Sequence, residues 1–146
     1  MAALIDTNVL VYLFDPGDLR KQRIAAEILD RGLRDNSAKI AHQAIVEFVA
    51  ATTRPRAQGR SPRPPLLTPQ AATREAEEFL SIFEVLYPNE ALVRTALRGA
   101  AAYQLAWYDA HLWAYAEYYG LSELLSEDFE HNRLYGTVRA VNPFLT

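Results

Sequence analysis

The stretch Leu4-Ile5-Asp6-Thr7-Asn8 places a carboxylate directly after a short apolar run near the start of the chain. The run that ends at Asp6, residues 2–5, has about the length of a buried parallel strand, and it is too short for a signal peptide or a membrane span. In open α/β sheets, ligands bind at the carboxyl ends of the strands. The stretch therefore predicts a first strand that delivers an acid to a site, followed at once by the start of a helix.

The composition limits the classes of protein to which the chain can belong. The chain has 146 residues, half of them apolar, so we expect one sizeable core and a single domain over residues 1–146. It has no cysteine, which excludes disulfides, thiolate metal sites and cysteine nucleophiles. With no leader and no apolar run of spanning length, we expect a cytoplasmic protein without membrane contacts. The net charge of −3 leaves any contact with nucleic acid to local basic patches.

Strand-like and helix-like segments alternate along the rest of the chain. Further short strands are predicted at residues 39–41, 85–87, 124–125 and 138–141. Helix boundaries between them are marked by capping residues, which are Asp18, Thr68 before Pro69, Asn89 and Gly120. Alternating units of this kind predict an α/β fold in which helices cover both faces of a parallel sheet.

Four acids stand out by their position in the chain. Asp6 follows the first strand and Asp128 follows a late one, whereas Glu47 and Asp109 each interrupt an apolar stretch. An acid within such a stretch is costly to bury unless it is paired or bound to a metal. For each acid taken alone, the simpler interpretation is a solvated side chain or a helix cap, with Asp109 as an N-cap and Glu47 facing water. The four acids together favour a functional site over four separate solvated or capping residues.

The four acid-containing motifs occur in the order and approximate separations found in PIN-domain nucleases. These motifs are Leu4–Asn8, Ala44–Phe48, Trp107–Ala110 and Leu125–Asp128, and the closing segment Arg133–Phe144 also fits. The chain resembles the VapC-type toxins of bacterial type II toxin–antitoxin pairs over essentially its whole length. The resemblance implies a three-layer α/β/α sandwich with a central parallel sheet. It also implies a homodimeric, Mg²⁺-dependent endoribonuclease that a cognate antitoxin holds inactive.

The resemblance also implies roles for the four acids, all of which we take as catalytic. Asp6, Asp109 and Asp128 would be ligands of Mg²⁺ or Mn²⁺, and Glu47 would be a ligand or would act through one. Mg²⁺ prefers oxygen ligands and keeps several waters, so carboxylates with open coordination positions suit it. Three side chains lie beside the implied ligands and are candidates for hydrogen bonds to them: Thr7, for which helix capping is equally open, Asn8 and Ser126.

Residues 54–65 interrupt the alternation of strands and helices. The segment holds four arginines and four prolines and has no apolar period, so we predict a loop or flexible arm. Arginine recognises phosphate through its planar fork, which suits such an arm to the RNA backbone. A merely solvated loop is equally open. The candidate RNA-binding residues are Arg54, Arg56, Arg60 and Arg63.

Other interpretations fit less well or stay open. An aspartyl-phosphate phosphatase needs a second Asp two positions after the first, where this chain has Asn8, and a receiver domain needs paired acids before its phosphorylated Asp. A non-catalytic PIN fold used as an interaction module, and a housekeeping metal-dependent nuclease, remain alternatives. His111 and His131 lie near the acids but receive no catalytic role. The aromatic residues between 108 and 119 are expected in the core and in a subunit interface rather than stacked on bases.

Overall fold

A central sheet positions the ends of the acid-bearing segments. The structure is a computed structural model that describes residues 2–58 and 61–145. Its strands are β1 (Ala3–Ile5), β2 (Ala38–Ala41), β3 (Arg56–Gln58), β4 (Ser61–Arg63), β5 (Glu84–Leu86), β6 (Glu123–Leu125), β7 (Leu134–Tyr135) and β8 (Val138–Val141). Its helices are α1 (Thr7–Tyr12), α2 (Leu19–Arg34), α3 (His42–Thr53), α4 (Pro69–Ile82), α5 (Glu90–Tyr103) and α6 (Trp107–Tyr119).

The strand order is β5-β2-β1-β6-β8-β7, and every pairing is parallel except that of β7 with β8. Helices cover both faces, so the predicted three-layer α/β/α fold with a mostly parallel sheet is confirmed. The central position of β1 explains its sequence, because a strand buried on both faces reads as a continuous apolar run. Leu4 is completely buried, and Ile5 is 1% exposed.

Local capping signals set the helix boundaries as predicted. The side chain of Asp18 accepts from the Lys21 backbone N–H at the start of α2, and Thr68 and Asn89 do the same for α4 and α5. Gly120 ends α6 with a left-handed φ of 72°, which glycine adopts without a steric penalty. The side chains of Asp18, Thr68 and Asn89 each bind a backbone N–H group that the start of the helix would otherwise leave unpaired.

Helix α6 lies in the interior and carries one of the acids. Residues 112–116 are buried without interruption, so the helix is apolar on nearly all sides. It packs closely against α5 at Gly99, where an added Cβ would lie 2.2 Å from the Trp113 ring. Trp113 and Tyr115 therefore belong to the core, as expected from the sequence. No helix in residues 2–58 and 61–145 is long and apolar enough to cross a membrane.

Residues 54–65 are not the loop or flexible arm that the sequence predicted. Within residues 54–65 the chain forms a two-stranded antiparallel sheet from β3 and β4, in which Arg56 pairs with Arg63. The sequence shows no apolar alternation there, so no periodicity predicted these strands. Backbone pairing alone defines these two short strands. Arg60 lies outside the described residues.

Candidate active site

The sheet topology brings the first and last acid motifs together. Strands β1 and β6 are parallel neighbours, with Ile5 opposite Leu125, so Asp6 and Ser126 leave the sheet side by side. Strand β1 has β2 on one side and the much later β6 on the other. The strand order therefore reverses at β1, and the carboxyl end of β1 is a topological switch point. Crevices at such points are the usual ligand sites of open α/β sheets.

Asp6 is a buried carboxylate held by donors from three residues. It is 5% exposed, and it caps α1 by accepting from the Thr7 backbone N–H at 2.6 Å. It also accepts from the Ser126 hydroxyl and from Asn8 Nδ2, the latter at 3.3 Å. Burial raises the pKa of Asp6 to about 7; the negative charges of Asp128 and Glu47 add to this, while the Ser126 and Thr7 hydrogen bonds oppose it.

Asn8 connects two of the acids. Its Nδ2 donates to Asp6 Oδ2 at 3.3 Å and to Asp128 Oδ2 at 3.1 Å, with Ser126 Oγ at 3.4 Å. Ser126, which is fully buried, in turn accepts from the Asp128 backbone N–H at 3.0 Å. The expected hydrogen bonds from Asn8 and Ser126 to the carboxylates are thus present.

Glu47 and Asp109 reach the same cavity from α3 and α6. Gln43 Nε2 donates to Glu47 Oε1 at 2.5 Å and to the Tyr108 carbonyl at 3.0 Å, and so ties the two helices together. Thr7 Oγ1 donates to Glu47 Oε2 at 3.5 Å. Burial raises the pKa of Asp109, and the charges of Asp128 and Glu47 raise it further. Asp109 lies in the first turn of α6 behind the N-cap Ala106, so the N-cap interpretation was wrong.

The cavity has a volume of about 470 Å³ and collects most of the predicted site. The four acids all line it, together with Thr7 and Asn8, while Ser126 is buried beneath them. Of the candidate arginines, Arg54 lines the cavity. Arg56 instead binds the Pro64 carbonyl at 3.0 Å and lies 3.9 Å from Asp15.

Several residues of the cavity carried no clear sequence signal. Gln43 lies four positions before Glu47, a spacing at which side chains of a helix contact each other. This spacing is the sequence signal that could have identified Gln43. Tyr12 and Glu127 also line the cavity. Lys21 Nζ donates to Glu127 at 2.9 Å and to the Tyr12 hydroxyl at 3.0 Å, and these contacts raise the pKa of Lys21. Glu127 is therefore ion-paired with Lys21, whereas none of the four acids forms an ion pair within residues 2–58 and 61–145.

The donor set suits a hard divalent cation. As placed, no three Asp, Glu or His side chains in the described ranges lie close enough to one another to hold an ion. Two buried oxygens of the cavity, Asn8 Oδ1 and Gln43 Oε1, nevertheless have no hydrogen-bond donor among those residues. Carboxylate and amide oxygens are the ligands that Mg²⁺ and Mn²⁺ prefer, and Mg²⁺ usually keeps several of its waters beside them. The Asn8 amide group donates to both Asp6 and Asp128, but it is neutral and offsets their charge less than a cation would.

The histidines and aromatic residues fall into three environments. His131 Nδ1 accepts from the Asn142 backbone N–H at 3.0 Å, so its role is structural. His111 packs between Trp107 and Tyr115, and burial lowers its pKa. Tyr108 lies outside the core, because it is 71% exposed beside the acidic cavity, so of the expected core and subunit-interface positions only the interface stays open for it.

Comparisons with known proteins place this geometry in context. The PIN domain family matches residues 3–136. No curated protein sequence matches the chain. A toxin–antitoxin complex from Klebsiella pneumoniae superposes with a TM-score of 0.66 at 20% identity, covering 97% of this chain and 98% of the other. DNA-bound VapBC from Salmonella typhimurium gives 0.66 at 16% identity and 96% of both chains. The Mycobacterium tuberculosis toxin VapC20, which cleaves the sarcin-ricin loop, gives 0.63 at 16% identity, covering 87% and 90%.

Proposed function

The chain belongs to the PIN domain family, and on this basis we propose that it is a metal-dependent endoribonuclease that hydrolyses phosphodiester bonds of RNA. The observation that carries the proposal is the single cavity that Asp6, Glu47, Asp109 and Asp128 all line. Burial raises the pKa values of Asp6 and Asp109, and the charges of Asp128 and Glu47 raise them further. A bound divalent cation would offset both the loss of hydration and the repulsion between the carboxylates.

In this proposal Asp6, Asp109 and Asp128 hold Mg²⁺ or Mn²⁺, and Glu47 borders the ion from α3. When bound, the ion supplies positive charge that offsets the charge growing on the phosphate oxygens. The remaining residues orient the acids: Ser126 and the Thr7 N–H hold Asp6, and Gln43 holds Glu47. Fixing ligand orientation in this way is a requirement of precise metal sites.

A toxin role and its partners are part of the same proposal. The similar solved structures include a toxin–antitoxin complex and a DNA-bound VapBC. We infer that this chain also pairs with a cognate antitoxin and forms a homodimer. A basic antitoxin side chain is suited to the acidic cavity, because charge-assisted hydrogen bonds from arginine to carboxylates are strong and bidentate. Such a side chain would compete with the metal ion.

The decisive experiment incubates the purified chain with single-stranded RNA and with DNA of the same sequence, in Mn²⁺ or Mg²⁺ and in EDTA. We expect fragments from RNA only, and only with metal. Expression without the antitoxin should arrest growth, and co-expression with the cognate antitoxin should restore it. Cleavage in EDTA would exclude the metal-dependent mechanism. Metal-dependent cleavage with harmless expression would favour a housekeeping nuclease, and the absence of any cleavage would favour an interaction module.

The basic segment gives a prediction about RNA binding. Arg54 lines the acidic cavity and Arg63 is exposed on β4, whereas Arg56 is engaged by Pro64 and Asp15. Replacing Arg54 and Arg63 with serine should weaken RNA binding and lower the slope of log K against log salt by roughly 1.4, at about 0.7 for each phosphate contact. Fluorescence anisotropy at several salt concentrations, in EDTA, measures the slope.

The matched control is the double substitution Arg34→Ser and Arg94→Ser. Both arginines are exposed, and each forms only an i,i+4 ion pair, with Asp30 and Glu90 respectively. Their loss removes the same net charge away from the cavity, so the slope should stay near the wild-type value. Equal slopes in all three proteins would show that Arg54 and Arg63 do not contact RNA.

A further inference from the structure

A second hollow lies directly beside the acidic cavity. It has a volume of about 280 Å³, and its walls include His42, Val46, Pro88, Trp107, His111 and Tyr115. Gln43, Glu47 and Tyr108 line both spaces, so the two form one continuous depression on the surface. The acidic part is suited to a metal ion and a phosphate, whereas the second part, the aromatic hollow, is lined mainly by aromatic and apolar side chains.

The walls of the aromatic hollow are held in place by ring contacts. The Trp107 and His111 rings have centroids 5.7 Å apart, and the His111 and Tyr115 rings are 5.8 Å apart. On the opposite side His42 packs on Tyr87 with centroids at 5.5 Å. All three distances are within the range of favourable aromatic pairs. A flat ligand would therefore meet surfaces that need little further ordering, which lowers the entropic cost of binding.

Three exposed apolar side chains lie together at the rim of the aromatic hollow. Trp107 is 43% exposed, Tyr108 is 71% exposed and Val46 is 56% exposed. Successive bases of single-stranded nucleic acids bind by stacking on such side chains. The volume lies just below the roughly 300 Å³ at which pockets begin to accept drug-sized ligands, so it suits one small planar group.

We propose that the aromatic hollow binds one unpaired nucleobase of the RNA strand whose phosphate occupies the adjacent acidic cavity. The inference rests on the proposed ribonuclease function and assigns that site a base subsite, with Trp107 and Tyr108 as stacking residues. The shared wall of Gln43, Glu47 and Tyr108 places the base next to the reacting phosphate. Single-stranded RNA is thereby selected over duplex, because a paired base cannot leave its stack without an energetic cost.

The test compares two hexanucleotides in EDTA, where binding is observed without cleavage. One is a uridine hexamer, and the other has a tetrahydrofuran residue in place of every nucleoside and so keeps the phosphates without the bases. Wild-type protein should bind the uridine hexamer about 5- to 150-fold more tightly, the range that stacking of one base provides. In the double variant Trp107→Ala, Tyr108→Ala this ratio should fall at least fivefold, while affinity for the abasic hexamer stays the same.

Two further variants keep the test informative if the double variant folds poorly. Tyr108→Ala alone removes a largely exposed side chain, and Trp107→Phe with Tyr108→Phe keeps the rings and should restore most of the ratio. Tyr118→Ala is the matched control, because it removes an exposed aromatic ring from the other end of α6. The control should leave the base-dependent ratio unchanged.

Three outcomes would overturn the base subsite. Equal loss of affinity for both hexamers in the alanine variants would assign the effect to phosphate binding or to the fold. An unchanged ratio would exclude stacking at this position. Conversion of a dimer to a monomer in sedimentation, at unchanged RNA affinity for each protomer, would show that the hollow contacts a second copy of the chain. Metal-dependent RNA cleavage in the same proteins reports on the proposed function separately, since it needs no base-dependent binding.

Discussion

Replacing Asp109 with asparagine is expected to lower the rate of RNA cleavage by about a hundredfold or more, with the fold intact. Asp109 is half-buried in the acidic cavity, and its carboxylate accepts no hydrogen bond from residues within 2–58 and 61–145. The substitution therefore breaks no hydrogen bond among these residues but removes one negative charge from the set that faces the cation. Losing a single electrostatic group at a reacting centre costs roughly 10²–10³ in rate.

The measurement is the initial rate on single-stranded RNA in excess Mn²⁺, with circular dichroism and thermal unfolding as checks on the fold. Asp30→Asn is the matched control, since Asp30 is an exposed acid on α2 whose ion pair with Arg34 is worth little. It should cleave at the wild-type rate. An Asp109→Asn protein that cleaves at the wild-type rate would mean that the acidic cavity does not carry the reaction.

The second large effect concerns the metal-free protein, whose stability should fall as the pH rises from about 4 to about 7 through the contribution of Asp6. Its pKa is about 7 in the folded chain and roughly 3.9 in the unfolded chain. The folded state thus binds a proton that the unfolded state has released, so this contribution is complete below the unfolded pKa and is lost as the pH passes the folded one. A difference of about 3 pKa units corresponds to something on the order of 4 kcal/mol.

Asp6→Asn should remove this dependence, because asparagine has no proton to lose. Urea unfolding in EDTA measures the free energy of unfolding of both proteins at pH 5 and at pH 8. Between these pH values wild type should lose stability relative to Asp6→Asn. The Asp30→Asn control should show no such shift. A constant difference for Asp6→Asn would show that the Asp6 carboxylate is ionised in the fold at all these pH values.

The same pair of proteins tests metal binding at Asp6. At pH 8, Mn²⁺ at about ten times its dissociation constant should stabilise wild type by roughly 1.4 kcal/mol, a rise of about 2 to 6 °C in melting temperature. The Asp6→Asn variant should show little of this rise, because one ligand charge is missing. Differential scanning calorimetry in EDTA and in Mn²⁺ measures both shifts, and equal shifts would remove Asp6 from the set of ligands.

The features that the sequence alone predicted are those that depend on near neighbours in the chain. The strand before Asp6 was predictable because a strand buried on both faces must be apolar at every position. The starts of α2, α4 and α5 were predictable because Asp18, Thr68 and Asn89 cap backbone N–H groups only two or three residues away. The four acids were found in the same way, each by its place after a strand or within an apolar run.

What only the tertiary structure decided is how these pieces meet. Asp6 and Ser126 are 120 positions apart, and their contact follows from the parallel pairing of β1 with β6, which no local periodicity specifies. The raised pKa of Asp6 has the same origin, because it results from burial by the assembled layers and from acids of other motifs. The β3–β4 hairpin, the Lys21 contacts to Glu127 and the aromatic hollow likewise left no pattern in the sequence. Each depends on distances across the fold, whereas sequence periodicity reports only which side of a single element is buried.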